Sequence, residues 1–402
     1  MSSSPFVADK FTLIVPTFNR PAELARLLAY LAGHRVSFPI LVLDSSMPDV
    51  QHANRVAVEA NACNITLKCF DSSVSPWEKF WQGSKLVETD YCSLCADDDL
   101  IMPGSLDQIV QFLEANADHA VAHGWYFTFY DNVHIGITAS VYRAGSLNQE
   151  DPVERLFELF KNYEAVTYGV YRTAVMRSAL GDVQDVGSML GKELLGGALS
   201  VVHGKTARLP IFYYGRSHAP SHAYMHWHPL DFLISSPEKL YSDYGQYRRI
   251  LLACFSSTGY TRFSQAELAT IVDLIHFRYL ADYVKPAVME FLVEQAIART
   301  PRLETMQGMW SVLARENDKS VSGIAGGSWW IRRIRDRFFP KIRAHHLKRH
   351  AAASQHRTVN SHTPGGRPRD YLFYSDFLAS LKADPALEKE IDAIVLALNC
   401  YE

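Results

Sequence analysis

A chain of 402 residues, 48% hydrophobic and 21% charged, has the apolar content of an ordinary globular core and more length than one average domain uses. Its 40 Lys and Arg against 43 Asp and Glu leave a formal charge of −3, so there is no global attraction to nucleic acid. Six cysteines, at positions 63, 69, 92, 95, 254 and 400, are too scattered for a disulfide scaffold and fit a reducing compartment.

The opening Met-Ser-Ser-Ser-Pro lacks the basic and apolar regions of a signal peptide, and no stretch approaches 18 uncharged apolar residues. A cytosolic protein without a transmembrane span is therefore expected. Phe11 to Val15 is β-rich and apolar and stops at Pro16, which reads as a strand entering a loop. Leu24, Leu27, Leu28 and Leu31 then recur at helical spacing, with Pro21 suited to the first turn. Ile40 to Leu43 is a second buried strand ending at Asp44, and this β-loop-α-β opening predicts a parallel sheet.

The alternation continues with a helix over 51–62, a strand over 65–70, a helix over 77–87 and a strand over 91–96 that runs into Asp97-Asp98-Asp99. A helix follows over 106–113. Val121 to Tyr130 and Val133 to Val141 read as hairpin strands, 152–163 and 185–201 as helices, and Ala207 to Tyr214 as a last strand. From Pro229 the periodicity is helical almost throughout, at roughly 237–255, 264–282, 284–299, 302–316 and 385–399. That shift sets a boundary between a domain at 10–228 and a mostly helical C-terminal domain at 229–402. Residues 351–369, rich in Ala, Ser, His, Gly and Pro, read as a flexible loop. Cys92 and Cys95 have metal-site spacing, but no second pair follows and both lie in an apolar run, so buried strand residues are expected.

In open α/β sheets ligands gather at the carboxyl ends of strands, where Asn19, Asp44 and the Asp triplet all fall. Three adjacent carboxylates repel one another unless a cation neutralises them, and hard divalent ions such as Mg²⁺ or Mn²⁺ do so. The alternative for the triplet is a solvated acidic turn or a helix N-cap.

Three segments together resemble the family 2 GT-A glycosyltransferases in order and spacing: Ile14-Val15-Pro16-Thr17-Phe18-Asn19-Arg20, Val42-Leu43-Asp44-Ser45-Ser46, and Leu94-Cys95-Ala96-Asp97-Asp98-Asp99-Leu100-Ile101-Met102-Pro103. The resemblance covers about residues 10 to 220. It implies a GT-A (Rossmann-like) α/β fold, with a mixed, mainly parallel sheet flanked by helices. It further implies inverting transfer of a sugar from a nucleotide-diphosphate donor to a hydroxyl of a glycan, lipid-linked or protein acceptor, and family habit points to bacterial surface polysaccharide.

By that match, Pro16, Thr17, Phe18 and Asn19 form the loop along base and ribose, and Asp44 is the carboxylate on the base. Asp44-Ser45-Ser46 departs from the family's paired acids before Gly-Ser and leaves the base open. Asp99 and Asp97 match the metal-holding D-x-D carboxylates, with Asp98 on the ribose or in the metal shell. A cation there would stabilise the charge of the departing diphosphate. Glu193 matches the catalytic base, with Asp185 in reserve, although an Asp is commoner at that place; a helix-N-terminal Glu favoured by the dipole is the plainer account. His218 matches an additional metal ligand, whereas His222, His226 and His228 read as solvated or acceptor-loop residues. Lys79 is placed as a contact to the diphosphate, and Trp77 either stacks on the donor or packs its helix.

Residues 328–350 combine Trp329, Trp330, Phe338 and Phe339 with clustered Arg and Lys. Such a segment suits an anionic bilayer, each basic residue contributing on the order of 1 kcal/mol near the surface, or a solvated helix. The expected site of action is the cytoplasm, at the inner face of the cytoplasmic membrane if that segment binds lipid. The helical half would then build the acceptor side and the membrane or homo-oligomer contact. A sugar nucleotidylyltransferase is the alternative enzyme, but a Gly-rich loop after the first strand is missing from Pro16 to Pro21. The alternative of another class is a non-catalytic carbohydrate-binding protein that keeps the fold. No G-x-G-x-x-G follows the first strand, which argues against an NAD enzyme.

Overall fold

The computed structural model describes residues 5–129, 137–139, 145–161, 163–217 and 237–283. A single turn, α1 (Pro5–Ala8), leads into a β/α alternation: β1 (Phe11–Thr17), α2 (Pro21–Gly33), β2 (Ile40–Asp44), α3 (Pro48–Glu59), β3 (Ile65–Cys69), α4 (Pro76–Ser84) and β4 (Tyr91–Leu94). The two-residue β5 (Leu100–Ile101), α5 (Pro103–Ala115), β6 (His119–Phe129) and β7 (Ile137–Ala139) follow. Then come α6 (Pro152–Lys161), β8 (Val170–Arg172), α7 (Thr173–Asp182), α8 (Met189–His203) and β9 (Lys205–Ser217). Each of α2 to α5 begins on a proline, whose fixed φ suits a first turn and whose missing N–H would have no helical partner there.

Among the described residues the strands form one sheet in the order β3-β2-β1-β4-β8-β6-β9-β5, with β7 beside β6. Strands β3, β2, β1 and β4 are parallel neighbours, and β6 runs parallel to β9. Strand β8 is antiparallel to both β4 and β6, and β5 is antiparallel to β9. This is the mixed, mainly parallel sheet with flanking helices expected from the sequence.

Strands of a parallel sheet are covered on both faces, so their residues are apolar throughout. Accordingly Phe11, Leu13, Ile14 and Val15 are all inaccessible to solvent. Leu13 and Val15 join a core with Leu24, Leu27, Leu31, Leu106 and Val110 from α2 and α5. On the other side α4 approaches so closely that a Cβ on Gly83 would overlap the Leu43 side chain. Cys92 and Cys95 are both buried, as expected of residues in an apolar run.

Of the helices Pro237–Ser257 and Gln265–Tyr283, residues 238–257 and 265–280 belong to the same compact unit as the sheet. Asp243 accepts the Gly187 N–H at 3.0 Å, and Cys254 Sγ lies 3.7 Å from His203 Nε2. Between the helices, Tyr260 and Arg262 both bond Asp151 at the start of α6. Among the described residues no helix is long and apolar enough to cross a membrane.

The expected β-hairpin is seen where it is described, Ile137–Ala139 lying antiparallel to β6. Four elements escaped the sequence reading: α1, β5, β8 and α7. The expected helices at 284–299, 302–316 and 385–399, the loop at 351–369 and the basic segment at 328–350 lie outside the described residues.

Candidate active site

The carboxyl ends of β2, β1 and β4 stand side by side. Thr17 is in register with Asp44, and Ser45 N–H donates to the Thr17 carbonyl at 3.3 Å. The loops leaving β1 and β2 are stitched together. Asn19 donates its N–H to Ser46 Oγ at 2.8 Å and accepts the Met47 N–H on Oδ1 at 2.9 Å. Asn19 adopts φ 55°, a left-handed conformation that Asn tolerates better than most residues. Phe18 and Met47 are exposed beside the stitch, whereas Thr17 is buried and Pro16 half-buried.

Beneath these loops lies Lys79, buried on α4. Its Nζ donates to the Thr17 carbonyl at 2.7 Å and to Ser45 Oγ at 2.9 Å. Burial pushes the ammonium down to about 8, against the pull of Asp97 and Asp44. Asp44 is inaccessible; Oδ1 accepts the Ser46 N–H at 2.7 Å and Oδ2 the Asn54 amide at 2.8 Å. Both oxygens are thus engaged in shaping the β2 loop. Trp77 is buried beside Phe80, with its carbonyl accepting from Gln184, which is the packing of a helix residue.

The Asp triplet follows β4 and is held from two sides. From α2, Arg20 Nη1 reaches Asp97 Oδ1 at 3.2 Å and Asp98 Oδ2 at 2.8 Å, and Arg26 donates to the Asp98 carbonyl at 2.8 Å. From β9, the Tyr214 hydroxyl donates to Asp99 Oδ2 at 3.0 Å while accepting the Ala96 N–H, and the Ser217 N–H donates to Asp99 Oδ1 at 2.7 Å. The triplet therefore points inward, and the alternative of a solvated turn does not hold: Asp97 and Asp99 are each 4% exposed. Burial, then the Asp98 charge, raises both carboxyls to about 7, against Arg20 at Asp97 and Arg216 at Asp99.

Glu193 sits in the second turn of α8, which begins at Met189 behind a Ser188 cap. It is not at the helix terminus, so the dipole does not account for it. The carboxylate is partly accessible but closely surrounded, and Oε1 accepts the Tyr163 hydroxyl at 3.2 Å. Burial pushes it up to about 7, held back by that hydroxyl and by Arg216. Arg216 thus acts on both Glu193 and Asp99, and its guanidinium lies 5.6 Å from the Tyr168 ring centroid. Asp185, by contrast, is mostly exposed, 3.8 Å from Arg249.

In kind the donors fit a hard divalent cation. Asp97 Oδ2 is buried and has no hydrogen bond of good geometry, although the Thr17 hydroxyl is close enough to favour the ionised Asp97 carboxyl, and Mg²⁺ is commonly held by one or two carboxylates with water and phosphate oxygens completing the shell. Among the described residues no group of three or more His, Cys, Asp or Glu is arranged to hold a metal. His218, His222, His226 and His228 lie outside the described residues. The structure brings together Pro16 to Asn19, Asp44, Lys79 and the triplet, and the positive charge of Arg216 favours the ionised form of both Asp99 and Glu193. Sequence reasoning passed over Arg20, Arg26, Tyr163, Tyr214 and Arg216. Arg20 had a signal, as the basic residue that ends the first-loop segment, and so had Arg216, two positions before His218.

No protein-family model matches the sequence, and no curated protein matches it. Among solved structures the chain is similar to S. aureus TarS 1-349 in complex with UDP-GlcNAc, at 17% identity and TM-score 0.48, covering 76% of this chain and 79% of that one. It is similar to TarS 1-349 in complex with UDP at 17% identity and TM-score 0.47, with the same coverage. A further TarS structure is 15% identical with TM-score 0.42 over 68% of this chain. The match spans 44% of that structure's length.

Proposed function

We propose that this chain is an inverting glycosyltransferase that moves a sugar from a nucleoside-diphosphate donor to a hydroxyl of a glycan, lipid-linked or protein acceptor. The observation that carries the reading is electrostatic: Asp99 from the end of β4 and Glu193 from α8 both feel the one guanidinium of Arg216. We read the donor-side carboxylate cluster and this candidate base as parts of one site.

In this reading Pro16, Thr17, Phe18 and Asn19 receive base and ribose, with Asp44 holding the neighbouring loop in shape and Asp98 toward the ribose. Lys79 supports the loop from beneath and adds positive charge on the diphosphate side. Asp97, Asp99 and His218, the residue after Ser217, would hold Mn²⁺ or Mg²⁺. Such a cation, when bound, stabilises negative charge on a diphosphate. Glu193 takes the proton of the acceptor hydroxyl on a carboxylate oxygen, and a base titrating near neutrality is matched to that task. The acceptor oxygen bonds the anomeric carbon as the carbon–oxygen bond to the diphosphate breaks, and that electron pair leaves with the nucleoside diphosphate.

A thermal-shift panel of UDP-, GDP-, CMP- and dTDP-sugars, with and without Mn²⁺, tests the reading, because a ligand of the native state raises the apparent melting temperature. One nucleotide class should raise it, more so with the metal, and Asp99→Asn should abolish the metal increment. No shift with any donor would count against the proposal.

A further inference from the structure

The chemistry above leaves a group of rings behind Glu193 unused. Tyr163, just beyond α6, donates its hydroxyl to Glu193 Oε1 at 3.2 Å. Its ring is stacked on Phe160, with centroids 5.7 Å apart and planes 23° apart. It also meets Tyr279 of the helix Gln265–Tyr283 edge-on, at 5.6 Å and 70°. Tyr279 in turn meets Phe160 at 5.4 Å and 75°, so the three rings close a triangle. Phe160 and Tyr279 are both buried, and offset-stacked and edge-on ring pairs of this kind are favourable beyond the area they bury. A hydroxyl carried on a ring fixed in this way has little freedom to leave the carboxylate.

A carboxylate base needs one oxygen oriented and the other open to the proton it takes. Among the described residues Glu193 Oε2 makes no hydrogen bond and is not among the fully buried atoms. Tyr163 occupies Oε1 and leaves Oε2 without a hydrogen bond.

We propose that Tyr163 is a positioning residue for Glu193, and that the helix Gln265–Tyr283 belongs to the active site through Tyr279, which fixes the Tyr163 ring. This rests on Glu193 being the base. Among the described residues the charged and titratable groups that act on Glu193 are the Tyr163 hydroxyl from the end of α6 and Arg216 from β9. A hydrogen bond donated to the ionised carboxylate favours that form. Its loss should therefore move the Glu193 titration upward.

The test uses the full chain labelled with carboxyl-¹³C glutamate, with Glu193→Gln identifying the resonance. Tyr163→Phe keeps the ring triangle and should titrate Glu193 at higher pH than wild type. Tyr279→Leu, which removes the ring support, should do the same to a smaller extent, and Tyr279→Phe should restore the wild-type curve. In a parallel assay of nucleotide release from UDP-GlcNAc with Mn²⁺, Tyr163→Phe should lose about tenfold in kcat at unchanged KM, short of the ~10²–10⁴ carried by a base. An unchanged Glu193 titration in Tyr163→Phe overturns the positioning role. An unchanged titration in folded Tyr279→Leu removes the helix from the site; if that variant does not fold, Tyr279→Met is read in its place, and an unchanged Glu193 titration there overturns the ring support. Full nucleotide release by Glu193→Gln would instead sink the base assignment, an outcome the titrations distinguish.

Discussion

Arg20 Nη1 lies 2.8 Å from Asp98 Oδ2, so the residue capping the amino end of α2 also closes the first loop against the carboxylate cluster. Burial and then the Asp98 charge raise Asp97 and Asp99 to about 7. Between the ordinary carboxylate range and that value the native chain holds protons the unfolded chain has lost. These groups therefore make stability fall as pH rises through that window. Arg20 counteracts this at Asp97, and Arg20→Gln should steepen the fall. Differential scanning calorimetry across the window checks it; parallel slopes for the two proteins would show that Arg20 does not shield the cluster.

Glu193 must be ionised to accept a proton, and its carboxyl sits near 7. Turnover should therefore rise with pH through neutrality. Glu193→Gln keeps the shape but cannot act as a base, and should lower kcat by about 10²–10⁴ while donor affinity is retained. Steady-state kinetics with a calorimetric donor titration separates the two effects.

Asn54 is fully buried and supplies a hydrogen bond to Asp44 Oδ2. Asn54→Ala removes that donor from an inaccessible carboxylate and should cost about 1–3 kcal/mol. Urea unfolding should show a lower midpoint at unchanged slope. Because Asp44 orders the Ser45–Ser46 loop, donor affinity should also weaken.

Gly124 lies in β6 against β9, and a Cβ there would overlap the Ile211 carbonyl oxygen. Gly124→Ala forces the strands apart and should cost about 1–3 kcal/mol, as overpacking does. The same denaturation experiment measures it.

The first half of the sheet was legible because parallel strands buried on both faces are written as unbroken apolar runs, such as Phe-Thr-Leu-Ile-Val and Ile-Leu-Val-Leu, between helices of clear period. Strand β8 was not. Val170–Arg172 is three residues long, and its partners Tyr91 and Val121 are remote in sequence. Strand β5 pairs with β9 over two residues, and nothing local marks so short a pairing. At the site, residues carrying chemistry on a strand end were visible as motifs. Tyr163, Tyr214 and Arg216 were not, since each depends on a neighbour that only folding supplies. The exposure of Phe18 beside the inaccessibility of Asp44 was likewise unreadable, because both stand at the carboxyl ends of strands of similar pattern.

The stitch between Asn19 and the Ser46–Met47 backbone means that the mouth formed by the first two loops is set before anything enters it. Conformational freedom that a floppy loop would surrender on capture has already been given up during folding. Replacing Asn19 with a β-branched residue would reverse that order of events, since the left-handed backbone would relax and the rim would have to be rebuilt each time a guest arrived.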